Sequence, residues 1–321
     1  MTASGSSGAT GADTAVLFPG ISEDSFAGLD KFLLVNPVAR ELTAVADDAL
    51  GGSLVDGLLA ADGQYTALSR AAFLVGCVAL AAWAEQEHGV RPLSCLGPSF
   101  GGTAAAVYAG ALDLADAVRL TIAWGRVFEE YFARADTGVV TQSLARLPGP
   151  VLAEILADLG RAGHWHDVAG YVDTDFHLVS VREESLQLLQ QQVRAVGGLP
   201  LYTMRQPLHS ALFAPLREVV EAEVFTGVRF ADPRTPVIGD HDGRLLDSAE
   251  QVRTLLLDAI VRPVRWLEVV STLKSRGVTR LWVAGTDGLW SRVNTTVEAF
   301  TVVPVTPQLA LRPRPAATVS W

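Results

Sequence analysis

The sequence is poor in cysteine, with only Cys77 and Cys95 in 321 residues. Two thiols cannot build a disulfide framework, so a reducing, cytoplasmic setting is expected. It has no run of 18 uninterrupted apolar residues, so no membrane span is expected. It is short of positive charge. Its 25 Lys and Arg stand against 35 Asp and Glu, a formal net charge of −10, which argues against general nucleic-acid binding. No cluster of Cys and His has metal-ligand spacing; His164 and His166 flank Trp165 in an expected turn and read as a solvated loop, not a zinc site. The opening stretch MTASGSSGATGADTA has neither a basic n-region nor an apolar h-region and reads as a flexible tail rather than a signal peptide.

What is present is a large apolar content. At 49% hydrophobic and 19% charged residues, the chain can bury the core of one large domain, or of a domain with an insertion. Short apolar runs at 16–18 and 93–96 read as strands, and helical spacing appears over 67–87, 103–108 and 112–132. This alternation is the pattern of an α/β domain with a mainly parallel sheet. The rhythm then changes. Strands are expected at 138–147, 168–172, 177–181 and 199–204, with helices at 148–159 and 184–196. The order βαββαβ predicts a ferredoxin-like subdomain over 136–205, inserted between two parts of a large subdomain, 14–135 and 206–310. Strands at 236–238 and 280–283 and helices at 249–260 and 266–276 complete the large part. Residues 1–13 and 311–321 are expected as tails.

Residues 95–102 read CLGPSFGG. A Gly-x-Ser-x-Gly pattern alone is weak, because small residues meet in turns by chance. Here a strand precedes it and a helix follows, the context of a nucleophile elbow. Gly97 and Gly101 would remove side chains where strand and helix nearly touch. Ser99 would then sit at a helix N-terminus, where free N–H groups favour developing negative charge. The alternative is a small residue in a structural loop. A serine nucleophile needs a base. Of the six histidines, His209 in MRQPLHSALF stands out, because it follows the insertion directly and precedes a new helix. That is a junction between domains, where active sites often lie.

With these residues in place, the chain resembles the malonyl-CoA:acyl-carrier-protein transacylases and the acyltransferase domains of polyketide synthases. The likeness runs from about residue 14 to 309, through AVLFPG, LGPSFGG, AGALDLADAVRL, PLHSALF, RPVRW and VVPVTPQL. It implies an α/β-hydrolase-like core, a ferredoxin-like small subdomain, and a cleft between them. It also implies that Ser99 accepts an acyl group from a thioester and that His209 is the base. The histidine would be oriented by a main-chain carbonyl near Ala259, and the oxyanion hole built from the N–H groups of Phe100 and Ile21. A second thiol would complete a ping-pong cycle, with no cofactor beyond the phosphopantetheine of a carrier protein or CoA.

The departures from the family's pattern speak to the substrate. Members using malonyl or methylmalonyl units place a carboxylate-binding arginine where VRLTIAWGR has Trp124. Arg126 is about 200° further round the helix and is not expected to replace it. Pro98 stands for the family's usual histidine, Gly102 for its glutamate, and Gln206-Pro207-Leu208-His209 matches neither typical extender-unit motif. Pro98, Trp124, Gln206 and Leu208 are therefore expected to shape the acyl site. Asp173 or Asp175 in VDTDF could attract an amine, although solvated turn acids are the plainer reading.

The likeness is greatest to discrete, trans-acting acyltransferases of macrolactam polyketide pathways, which move an aminoacyl or dipeptidyl starter between carrier proteins. Expected partners are acyl carrier proteins and a polyketide synthase loading module. Carrier proteins present an acidic helix, and between Arg253 and Arg292 seven Lys or Arg stand against three Asp or Glu. Arg205, Arg262, Arg265 and Arg292 are candidates for carrier binding, against a scatter of solvated charges. Two further functions remain open: a hydrolase that clears stalled acyl chains, and a non-catalytic carrier-binding protein. Retention of both Ser99 and His209 argues against the latter.

Overall fold

The structure, a computed structural model, describes residues 13–21, 23–134, 138–205 and 207–312. The expected tails thus lie outside the described residues except at their inner ends. Asp13 is tied down, its carbonyl accepting the N–H groups of Thr279 and Arg280 and its carboxylate pairing with Arg280.

In chain order the strands are β1 (Thr14–Leu17), β2 (Ser94–Leu96), β3 (Val139–Ala145), β4 (His166–Asp173), β5 (Phe176–Arg182), β6 (Leu199–Met204), β7 (Val237–Ile238), β8 (Leu245–Leu246), β9 (Val264–Arg265), β10 (Arg280–Ala284) and β11 (Thr301–Val305). Six form one sheet in the order β11-β10-β1-β2-β7-β8, parallel except for the last pair. All four residues of β1 and all three of β2 are buried, as parallel strands covered on both faces must be. One face carries the helix Ala67–His88, whose apolar residues go nearly all round, because it is wrapped by Leu29–Val35, Pro37–Leu50, Leu54–Ala60 and Leu114–Arg134. By length and composition it could cross a bilayer; here it is the centre of a core that includes Phe32, Phe73 and Leu80. Cys77 and Cys95 are buried in the same core, and burial pushes both thiol pKa values up. The other face is covered by the helix Trp266–Ser275, with Trp266, Val269, Leu273 and Trp290 against Leu17, Leu96 and Leu281.

The second sheet has the order β6-β3-β5-β4-β9. Its first four strands have the expected ferredoxin-like arrangement, with helices Gly149–Arg161 and Leu186–Ala195 burying Leu152, Leu159, Leu189 and Val193 against it. The fifth strand comes from outside the expected insertion. β9 pairs in parallel with β4 through Gly170 and Val264. Three further bonds fasten the subdomains. Asp173, buried at the end of β4, accepts from the Thr295 N–H at 3.1 Å and from its hydroxyl, and Ser210 Oγ donates to Asp167 Oδ2 at 2.6 Å. Charge-assisted bonds of this kind are the stronger ones. Asp173 is therefore a structural tie rather than an amine site.

Candidate active site

The elbow is as tight as its glycines suggest. A Cβ on Gly97 would lie 2.0 Å from the Gly101 carbonyl oxygen, and one on Gly101 would lie 2.0 Å from that of Phe18. No larger residue fits where β2 turns into the helix Gly101–Tyr108. Ser99 takes φ +55°, in the left-handed region that a side chain disfavours. The strain lifts its side chain out of the turn into the cleft.

His209 meets it there. Nε2 lies 2.9 Å from Ser99 Oγ, and Nδ1 lies 3.1 Å from the Arg262 carbonyl oxygen. A carbonyl can only accept, so Nδ1 carries the proton and Nε2 is left to accept the serine's. His209 also has a left-handed backbone, φ +63°, held by its N–H donating to the Ile260 carbonyl at 2.8 Å. His209 is 8% exposed, and its pKa is lowered to about 4, by burial first and by His241, against the opposing influences of Asp240 and the Arg262 carbonyl. At neutral pH it is an uncharged base.

The orienting carbonyl is a correction to the sequence reading, which pointed near Ala259. Ala259 is the right-handed C-cap of the helix Ala249–Asp258, and its backbone still follows the helix. Arg262 precedes Pro263, which disfavours helical backbone and lets the carbonyl swing out toward the ring.

Phe100 and Ile21 lie where strand ends meet the cleft, after β2 and β1 respectively, and both line it. Among the described residues, neither backbone N–H is bonded to another backbone or side-chain acceptor. Both are available to an oxyanion. The Ser99 N–H is not, because it donates to Asp240 Oδ2 at 2.8 Å. Asp240 was passed over in the sequence as part of a polar turn, GDHDG. The signal that could have found it is its place at the carboxyl end of a parallel strand, β7, which neighbours β2.

The cleft has a volume of about 900 Å³ and opens between the subdomains. Trp124 and Leu208 line it, with Thr121, Phe128 and Leu255. Trp124 stands edge-to-face with Phe128 and Phe225, at 5.7 and 5.6 Å between ring centres. Its Nε1 is shielded and has no hydrogen-bond partner among the described residues, so it offers the cleft ring surface rather than a donor. Arg126 is exposed beside Arg119 and Leu50, at a separate depression. Pro98 is buried in the elbow and does not line the cleft, a second correction; the bend that exposes Ser99 turns its neighbour inward. Gln206 lies outside the described residues. Besides Arg205 at the mouth, a second cation, Arg70, lines the cleft; burial lowers its pKa and the charge of Glu129 opposes this. Sequence reading missed it because it sits on the buried helix Ala67–His88.

The four candidate arginines have different surroundings. Arg205 is at the mouth, paired with Glu183. Arg262 pairs with Asp242 at 3.2 Å and Asp258 at 3.7 Å. Arg265 pairs with Glu268 and lies 5.0 Å over the Tyr171 ring. Arg292 is exposed close to Leu289 and Trp290, which line the cleft.

Residues 143–204 match the family model described as the VinK acyltransferase small domain. The malonyl CoA-acyl carrier protein transacylase of Escherichia coli strain K12 is 26% identical over 299 residues, covering 89% of this chain and 94% of the relative. A malonyl-transacylase solved in complex with a type II polyketide synthase acyl-carrier protein is similar at a TM-score of 0.77 and 25% identity, over 91% of this chain and 96% of that one. The acyltransferase domain from the second module of the salinomycin polyketide synthase gives 0.76 at 25% identity, over 92% and 69%.

Proposed function

We propose that this chain is a member of the malonyl-CoA:acyl-carrier-protein transacylase and polyketide synthase acyltransferase family, which it resembles over most of its length, and that it moves a non-carboxylated acyl group from one acyl carrier protein to another. The acyl group is an aminoacyl or dipeptidyl starter for polyketide biosynthesis. The observation that carries this reading is Trp124 in the cleft wall, where malonyl-using relatives are expected to hold a carboxylate-binding arginine. A carboxylate left against the Trp124 indole and the Phe128 ring would be desolvated without a partner, at a cost of several kcal/mol, roughly.

The geometry performs the transfer in two halves. Ser99 Oγ attacks the thioester carbonyl while its proton passes to His209 Nε2, and the imidazolium is steadied by Nδ1–H on the Arg262 carbonyl. The oxyanion forms against the N–H groups of Phe100 and Ile21. Collapse breaks the C–S bond, His209 returns the proton to the departing thiolate, and acyl-Ser99 remains. A second carrier thiol gives its proton to His209 and repeats the steps in reverse. Arg205 and Arg292, beside the mouth, are the arginines best placed to meet an acidic carrier.

A second reading has one observation in its favour. Arg70 supplies a guanidinium to the cleft lining, and a carboxylated acyl group of different reach would use it in place of the arginine lost at 124. Intact mass separates the two. After brief exposure to an aminoacyl- or dipeptidyl-carrier protein, the chain should gain the acyl mass and Ser99→Ala should not. A Ser99-dependent adduct from malonyl-CoA instead would overturn the first reading and favour the second.

A further inference from the structure

The dyad has a third partner, an acid, and it reaches the serine's backbone rather than the histidine's ring. Asp240 is 4% exposed, two residues beyond β7, and β7 lies against β2 through Leu96 and Ile238. This register brings its carboxylate to the elbow. Oδ2 accepts the Ser99 N–H at 2.8 Å, Oδ1 lies 3.3 Å from His241 Nδ1, and the Asp240 carbonyl accepts the Arg265 N–H at 2.7 Å. The residue is pinned by its own backbone and aimed at the nucleophile.

Three consequences follow. With Ser99 at φ +55°, its N–H would otherwise be a buried orphan in a strained turn; the bond to Asp240 fixes the rotation that sends Oγ to His209. The bond also withdraws that N–H from the oxyanion, leaving the work to Phe100 and Ile21. Furthermore, an anion in this desolvated corner favours positive charge on the nearby imidazole. The charged and titratable groups around His209 are Asp240 and His241 from the turn after β7, and Arg262, whose guanidinium is answered by Asp242 and Asp258. Asp167 of β4 is held by Ser210. Asp240 is the only one of these anions bonded to the dyad among the described residues.

We propose that Asp240 is a positioning residue that holds Ser99 in its strained conformation and electrostatically supports the imidazolium formed on His209 during acyl transfer. The proposal rests on the Ser99–His209 dyad and is independent of the acyl group. Asp240→Asn keeps an acceptor for the Ser99 N–H and removes the charge; Asp240→Ala removes both. The probe is p-nitrophenyl acetate, with p-nitrophenol release followed in the full chain between pH 4 and 8. Asp240→Asn should lower the plateau rate constant by about tenfold, the worth of one pKa unit of imidazolium stabilisation, with KM little changed. Its acid limb should recede below that of the parent, so that the profile is flat down to pH 4. A merely structural role would scale the plateau with the folded fraction and leave the limb in place. Asp240→Ala should be slower again; if it does not fold, the Asp240→Asn profile decides alone. An Asp240→Asn plateau and limb equal to the parent's overturns the proposal. Ester turnover that survives Ser99→Ala overturns the dyad as well, so the two failures are distinguishable.

Discussion

The lowered pKa of His209 makes a prediction that an ordinary histidine would fail. Burial takes the ring from 6.5 to about 4, which disfavours the imidazolium by about 3 kcal/mol. At pH 5.5 a solvated histidine is mostly charged, whereas His209 remains almost wholly neutral and competent as a base. The rate constant for p-nitrophenol release from p-nitrophenyl acetate should therefore be level from pH 8 to about 5.5 and fall only toward pH 4. The same shift has a consequence for stability. Between the two pKa values the unfolded chain binds the proton and the folded chain does not, so stability present above pH 6.5 is lost as pH falls. Between pH 7 and 5 this one group should cost about 2 kcal/mol, a loss absent from His209→Gln. Urea unfolding at the two pH values, for parent and variant, measures it. A half-maximal rate near pH 6.5 together with equal pH-dependence of parent and variant would refute the desolvated base.

Two substitutions test other parts of the site. Gly101→Ala places a methyl 2.0 Å from the Phe18 carbonyl, backbone against backbone, and should destabilise the chain by more than about 3 kcal/mol in urea while abolishing acylation. Trp124→Arg should admit malonyl groups, read as a Ser99-dependent malonyl adduct by intact mass; the absence of one, in a variant whose thermal midpoint is kept, would mean that residue 124 alone does not set the charge of the acyl group.

The features that the sequence made legible share a local signature. The elbow shows as glycines spaced around a serine, and the insertion shows as apolar runs long enough to have a period; strand β6 falls on its expected residues, 199–204. Three helices between Leu29 and Ala60 were not read, and two of them are seven residues long, under two turns, too short to display a repeat. Strands β8 and β9 have two residues each and exist only because a partner lies beside them. The Arg262 carbonyl left no trace for a deeper reason. Every residue carries a carbonyl, so a backbone acceptor has no side-chain signature, and only the path of the chain selects it.

That path explains why the base depends on the insertion. Ser99 and His209 are 110 residues apart, and His209 comes five residues after β6 ends. Its position is set from both subdomains. Ile260 and Arg262 hold its backbone and ring, Asp167 of β4 holds Ser210 next to it, and β9, the strand after Pro263, is itself a member of the small sheet. A loop that carried the histidine on the large subdomain alone would be fixed only by Ile260 and Arg262. With β9 and Ser210 both bonded to β4, a shift of the small subdomain would pull the orienting carbonyl and the imidazole together, so their 3.1 Å separation survives small movements of the cleft. What such a movement changes is the distance to Ser99, which stands in the turn after β2, a strand of the other sheet. The coupling places the cost of opening the cleft on the Oγ–Nε2 bond, the one that must be made and broken in each half of the transfer.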